Sequence, residues 1–69
     1  MMSFKARIYL RRSTEIQPRY LGELELDNRP VPFGQARFIY KGKIETGWVE
    51  TVKPHNWEPA GLIPTVYVI

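Results

Sequence analysis

The sequence predicts an all-β fold, a small five-stranded antiparallel barrel. Apolar and polar residues alternate with a period of two over several short runs, which is typical of strands with one buried face. All six prolines lie in the segments between these runs, where a missing amide hydrogen does no harm. The chain has 69 residues, 43% of them hydrophobic, which is enough for one small core and too short for two. Residues 1–69 are therefore predicted to form a single, strongly bent barrel domain.

The first two strands are predicted to form a hairpin. Apolar residues alternate with mostly basic ones over residues 4–11, and Leu residues alternate with acids over residues 23–27. If the apolar residues of both strands share one face, paired positions have the same parity. Arg7 then lies opposite or diagonal to Glu23 or Glu25. Such ion pairs would neutralise part of the basic outer face.

Three more strands complete the barrel. Residues 36–41 alternate in polarity, residues 48–53 are rich in aromatic and β-branched side chains, and residues 65–69 form a short apolar run. No helix longer than a turn is predicted. The segments between the strands are predicted as turns or loops, and these are residues 12–19, 27–35, 42–47 and 54–64.

Two loop segments allow more than one interpretation. Residues 27–34 contain Pro30, Pro32 and Phe33, and we interpret them as a rigid turn, although the Pro-x-Pro pattern also fits a ligand for another protein. Trp57 lies in a polar loop, where it is expected to cover the small core as a lid. An exposed binding side chain is the alternative for Trp57.

Composition argues against several functional classes. The chain has no cysteine and one histidine, His55, so neither a disulfide framework nor a metal site is expected, and no cofactor is implied. Ser3, Ser13 and Asp27 are scattered relative to His55, and the glycines stand singly, so an enzyme is not expected. No apolar run approaches the roughly 20 residues of a membrane span. The cytoplasm is the expected compartment.

The C-terminal run Gly61-Leu62-Ile63-Pro64-Thr65-Val66-Tyr67-Val68 resembles the closing motif of Src-homology-3 domains. Trp48, 13 residues before Gly61, stands close to the position of that family's groove tryptophan, and Ile8-Tyr9 stands where its first strand carries Leu-Tyr. The resemblance implies a groove for proline-rich peptides. Its lining would be Tyr9, Trp48, Pro64 and Tyr67, with a 3₁₀ turn between the Pro and the Tyr.

The chain departs from that family in two places. Tyr9 is followed by Leu10 and Arg11 instead of the family's Asp-Tyr, which removes one wall of the groove. Residues 12–19, where the family presents carboxylates, hold one acid and two bases. A groove of this kind is expected to disfavour basic peptides and to accept neutral or acidic ones.

Three functions remain open at the level of sequence. The first is a non-catalytic interaction module that binds a protein or peptide through the aromatic groove. The second is a small basic nucleic-acid-binding barrel, since the net charge is +3. The third is a structural subunit that pairs its open strand edges with another copy or another chain. The residues predicted to bind nucleic acid are Arg11, Arg12, Arg19, Lys41 and Lys43.

Overall fold

The computed structural model of the protein describes residues 3–69, which contain five strands and one helical turn. The sheet curls into a half-barrel, so that its two edge strands approach each other. The order of strands across the sheet is β2-β1-β5-β4-β3. The elements are β1 (Phe4–Leu10), β2 (Arg19–Leu26), β3 (Gln35–Tyr40), β4 (Lys43–Lys53), α1 (Trp57–Ala60) and β5 (Thr65–Val68). The predicted all-β class with five strands is confirmed.

The sheet is mixed, and the prediction of a purely antiparallel barrel is wrong. The strands β1 and β2 form one antiparallel hairpin, and β3 and β4 form another. The last strand, β5, lies between the two hairpins. It runs antiparallel to β4 and therefore parallel to β1, with Tyr67 opposite Tyr9. Alternation of apolar and polar residues fixes which face is buried but carries no information on strand direction.

The core lies on the concave face of the sheet, and every strand contributes to it. In β1 the buried positions are every second residue, as the period of two predicts. Full burial of a Val, Leu, Ile or Phe side chain stabilises the fold by about 1.5–3 kcal/mol, so these positions are its main support. The buried hydrophobic residues are Ala6, Ile8, Leu10, Leu26, Ala36, Phe38, Val49, Val52, Val66 and Val68.

Trp57 covers one end of this core, which confirms its interpretation as a lid. The side chain is half-buried and packs against the core residues. Its ring meets that of Phe4 edge-on, with centroids 6.4 Å apart. The guanidinium of Arg29 lies 5.8 Å from the Trp57 ring centre and also pairs with Glu58. The loop before β5 is therefore attached to the barrel by an aromatic and a cationic contact.

The predicted pairing of the first hairpin is confirmed. Arg7 lies opposite Glu23, and Lys5 lies opposite Glu25. The Nε atom of Arg7 is 3.6 Å from a carboxylate oxygen of Glu23. Both side chains are largely exposed, so the pair stabilises the hairpin by no more than about 1 kcal/mol.

The strand β4 begins at Lys43, whereas residues 42–47 were predicted to be a turn. The turn consists of Lys41 and Gly42 alone, both with positive φ, as a two-residue hairpin connection requires. Gly47 then lies inside β4. A Cβ at Gly47 would be 2.6 Å from Cγ1 of Val68, so the glycine is there to let two strands approach closely.

The strand predicted over residues 65–69 is confirmed as β5, whereas the 3₁₀ turn that the family resemblance implied between Pro64 and Tyr67 is not found there. A helical turn does occur, but it is α1, which precedes Gly61. The amide of Leu62 donates to the carbonyl of Trp57 at 2.8 Å and closes the turn. Among residues 3–69 no helix has the length and apolar character needed to cross a membrane.

Candidate functional site

Three tyrosine rings lie side by side across β2, β1 and β5 on the outer face of the sheet. Tyr9 lies in the middle, opposite Tyr20 of β2 and Tyr67 of β5. The ring centres of both pairs are 4.9 Å apart, with the planes at 43° in the first pair and 18° in the second. These separations are within the range of favourable aromatic contacts. Tyr20 keeps half of its surface exposed.

The row of large side chains continues beyond the tyrosines. Ile69 follows Tyr67 by two residues and so faces the same side of the sheet. Trp48 lies opposite Ile69, since each amide donates to the other's carbonyl at 2.9 Å. Trp48 is 58% exposed and Ile69 is 42% exposed. We call this row, Tyr20, Tyr9, Tyr67, Ile69 and Trp48, the aromatic stripe.

The four residues that the family resemblance implied do not form one groove. Tyr9, Tyr67 and Trp48 lie on the outer face, but Pro64 is fully buried. Positions 64, 66 and 68 have the same parity, so Pro64 points inward with Val66 and Val68. Ile69 lies opposite Trp48, and the Trp48 ring stacks on neither tyrosine. A cleft lined by Pro64, Tyr67 and Trp48 is therefore wrong as a description of the surface.

Sequence reasoning missed two members of the stripe, Tyr20 and Ile69. The position of Ile69 follows from Tyr67 by the period of two. That of Tyr20 does not, because the β1–β2 register shifts between Ile8 and Tyr9. A bulge of this kind leaves no signal in the alternation of polar and apolar residues.

Among residues 3–69, Lys53 is the cation that contacts the stripe without a nearby acid. Its Nζ lies 5.7 Å from the ring centre of Tyr67. Within residues 3–69, no carboxylate oxygen lies within 4.0 Å of it. Arg11, at the other side of the stripe, is paired with Glu50 at 3.8 Å. The uncompensated charge beside the stripe is therefore positive.

All six arginines of the chain are paired with carboxylates, at N···O distances of 2.5–4.0 Å. The four lysines and Glu25 have no such partner among the described residues, which accounts for the net charge of +3. The pairs are Arg7–Glu23, Arg11–Glu50, Arg12–Glu45, Arg19–Glu15, Arg29–Glu58 and Arg37–Asp27.

The five residues predicted to bind nucleic acid lie at one end of the sheet. Arg11, Arg12 and Arg19 lie in or next to the β1–β2 loop, and Lys41 and Lys43 lie in or next to the β3–β4 turn. Both connections are at the same end, because β1 and β3 run in the same direction. The three arginines are ion-paired there, which leaves two lysines as the free charges. We call this region the basic end.

Residues 3–69 contain no group of three or more His, Cys, Asp or Glu side chains that could hold a metal ion. His55 lies exposed in the loop between β4 and α1. Comparison with protein families, curated proteins and solved structures finds no match to this chain. Inference about function therefore rests on the surface of the molecule itself.

Proposed function

We propose that this chain is a non-catalytic interaction module, similar in fold to an SH3-like barrel, that binds an extended protein segment through the aromatic stripe. The curled five-stranded sheet is compatible with such a barrel. The observation that carries the proposal is the row of five large side chains on one outer face, ending in an indole that is 58% exposed. A row of large aromatic and apolar side chains that ends in an exposed indole is typical of surfaces that bind proteins.

Stability of the sheet explains only part of this row. Cross-strand aromatic pairs contribute about 0.2–1 kcal/mol each, so the contacts of Tyr9 with Tyr20 and Tyr67 also stabilise the fold. Trp48 has no aromatic partner within residues 3–69 and does not belong to the core cluster. Its exposed indole supports a role in binding.

A proline-rich segment that is neutral or acidic fits the stripe best. A polyproline helix is already formed before binding, so the peptide loses little conformational entropy when it docks on aromatic rings. The positive charge of Lys53 above Tyr67 favours a ligand carboxylate and disfavours a ligand arginine or lysine. We therefore still expect the binding surface to disfavour basic peptides, as the sequence predicts, and Lys53 is a second reason for this preference.

Titration of the isotopically labelled protein with three proline-rich peptides tests this function. The peptides have the same length and differ at only two positions. Both positions are Asp in the first peptide, Ser in the second and Arg in the third. We expect shifts of the Trp48 indole resonance and of Tyr67 amide signals, with affinity falling in the order Asp, Ser, Arg. Trp48→Ala is expected to remove most of the binding, by analogy with interface tryptophans that contribute 2 kcal/mol or more, roughly 30-fold.

Ile44→Ala is the matched control, because Ile44 is also on β4 and is 60% exposed, but it lies outside the stripe. This variant is expected to bind like the wild-type protein. Equal affinity for the three peptides would exclude the role of Lys53. Shifts confined to residues outside the stripe would exclude the stripe as the binding surface.

Nucleic-acid binding at the basic end is a second candidate function. The observation in its favour is that the two loops carrying Arg11, Arg12, Arg19, Lys41 and Lys43 lie at the same end of the sheet. A short single-stranded oligonucleotide titrated at two salt concentrations tests it. Binding to phosphates would weaken steeply as salt is raised, with a slope of about −0.7 per neutralised phosphate in a logarithmic plot. With only the two lysines free, we expect a shallow slope.

A further inference from the structure

The half-barrel is open along one seam, between the edge strands β2 and β3. One backbone hydrogen bond joins them within residues 3–69, from the Asp27 amide to the Arg37 carbonyl at 3.1 Å. Beyond that bond the seam contains a cleft of about 310 Å³, whose lining includes Leu24, Glu25 and Ile39. A smaller pocket of about 70 Å³ adjoins it and shares Asp27 and Ile39.

Both edges of the seam have backbone groups that no other strand of the described part of the chain pairs with. In a strand, the amide and carbonyl of successive residues point to alternate sides. Asp27 directs its amide into the seam, so Glu25 and Glu23, which have the same parity on β2, direct theirs there as well. The carbonyl of Arg37 on β3 points into the seam, where it accepts from Asp27. Ile39 has the same parity as Arg37, so its amide and carbonyl also point into the seam. Such edges are templates for another strand.

The outward side chains beside the seam are acids on β2, and on β3 they are Ile39 and Arg37, of which Arg37 is paired with Asp27 at 3.5 Å. Glu23 and Glu25 are exposed, and Glu25 is the acid that has no cation within 4.0 Å among residues 3–69. Ile39 and Ile44 face each other across β3 and β4, and they are 65% and 60% exposed. Since Glu23 is already paired with Arg7, an occupant needs to complement the carboxylate of Glu25 and to cover an aliphatic surface.

We propose that the seam is a second binding site, which accepts an extended segment of a partner protein with alternating basic and β-branched residues. The segment adds a strand to the β2 edge and brings the half-barrel closer to a closed barrel. Its arginine or lysine side chains lie on the outer face, where their aliphatic stems cover Ile39 and their charges reach Glu25. Its alternate apolar side chains point inward, toward Leu24 and Phe38.

A basic segment fits the seam better than a second copy of this chain paired through the same edge. Two β2 edges related by a two-fold axis would place Glu23 and Glu25 of one copy against those of the other, and like charges across strands are destabilising. A basic strand instead brings opposite charge to Glu25, which has no cation within 4.0 Å among residues 3–69. The seam and the aromatic stripe consist of different residues, so an experiment can disprove one binding site without disproving the other.

An acetylated eight-residue peptide of alternating arginine and valine tests the proposal. At about ten times its dissociation constant, the peptide is expected to slow exchange of the Glu23, Glu25 and Ile39 amides about tenfold, because the free protein falls to about one part in eleven. A peptide with glutamate in place of arginine is expected not to protect them. A peptide with proline at a central valine is expected to bind more weakly, because it lacks a ladder donor.

Substitutions test whether the acidic side chain in the seam causes the preference for the arginine peptide. Glu25→Lys is expected to weaken binding of the arginine peptide about two- to fivefold, as the loss of one exposed ion pair predicts. Glu50→Lys, the same change outside the seam, and Trp48→Ala, in the stripe, are expected to bind like the wild-type protein. The proposal is overturned if the glutamate peptide protects the amides equally, if protection appears elsewhere, or if these amides become protected with rising protein concentration and no peptide. That last result would identify a second copy as the occupant.

Discussion

Tyr9 stacks on Tyr67 across the parallel pair β1–β5, with the ring centres 4.9 Å apart and the planes at 18°. Tyr9 also contacts Tyr20, again at 4.9 Å, so one ring links three strands on the outer face. The same rings serve the fold and the proposed binding surface. These two roles can be measured separately, because the contribution to stability is measured by unfolding and the contribution to binding by peptide titration.

The first prediction concerns the energy of this stack. Tyr9→Leu, Tyr67→Leu and the double variant form a double-mutant cycle in which leucine retains apolar bulk. We expect a coupling energy of about 0.5–1.5 kcal/mol in the free energy of unfolding, measured by chemical denaturation. A second cycle with Tyr9 and Tyr40, whose rings are not in contact, serves as the control and is expected to be additive within about 0.5 kcal/mol. Additivity in both cycles would mean that the rings of Tyr9 and Tyr67 do not stabilise the sheet through their contact.

Much of the first hairpin could be predicted from the sequence, because a single physical rule governs it. Residues with a period of two must place one set of side chains in the core, and this fixes parity between paired strands. The rule leaves Glu23 or Glu25 as the partner of Arg7, and the structure pairs Arg7 with Glu23. The choice between the two depends on the register, which parity alone does not fix. Trp57 as a lid follows from the shortage of core in a chain of 69 residues.

Features that depend on strand direction and close approach could not be predicted. The insertion of β5 between β1 and β4 is a long-range arrangement, and it brings Tyr67 beside Tyr9 and buries Pro64. Gly47 looked like a turn residue, whereas its role is to leave room for Val68. Aromatic residues can be chosen from the sequence as candidates for a binding surface, but which side chains lie beside them depends on the register of the sheet.

The second prediction concerns that close approach. A Cβ at position 47 would lie 2.6 Å from Cγ1 of Val68 and 2.7 Å from the carbonyl oxygen of Ile69. Gly47→Ala is therefore expected to lower the free energy of unfolding by about 1–3 kcal/mol, the usual effect of overpacking. Thr46→Ala, at the preceding exposed position, is the control and is expected to change it by less than about 0.5 kcal/mol.

A double variant separates steric conflict from a general loss of strand propensity. Val68→Ala removes the methyl group nearest to the new Cβ, so Gly47→Ala and Val68→Ala together are expected to cost less than the sum of the two single changes. A purely additive result would show that the contact with Val68 is not the reason for a glycine at this position.

The third prediction concerns Phe33, which combines strain with exposure. Its φ is 68° and its side chain is 88% exposed. It follows Pro32 in a turn closed by the Gly34 amide, which donates to the Val31 carbonyl at 3.0 Å. A positive φ at the third position of such a turn is typical of glycine or asparagine.

A left-handed conformation costs most L-residues about 1–2 kcal/mol, and asparagine tolerates it better. Phe33→Asn is therefore expected to raise the free energy of unfolding by about 0.5–1 kcal/mol, since little buried surface is lost. Phe33→Ala keeps the penalty and removes the same ring, so it is expected to lie within about 0.5 kcal/mol of the wild-type protein. If asparagine and alanine give the same stability by chemical denaturation, the conformation at position 33 carries no strain. If asparagine alone stabilises, the wild-type chain retains a strained, exposed phenylalanine next to β3 that does not contribute to its stability.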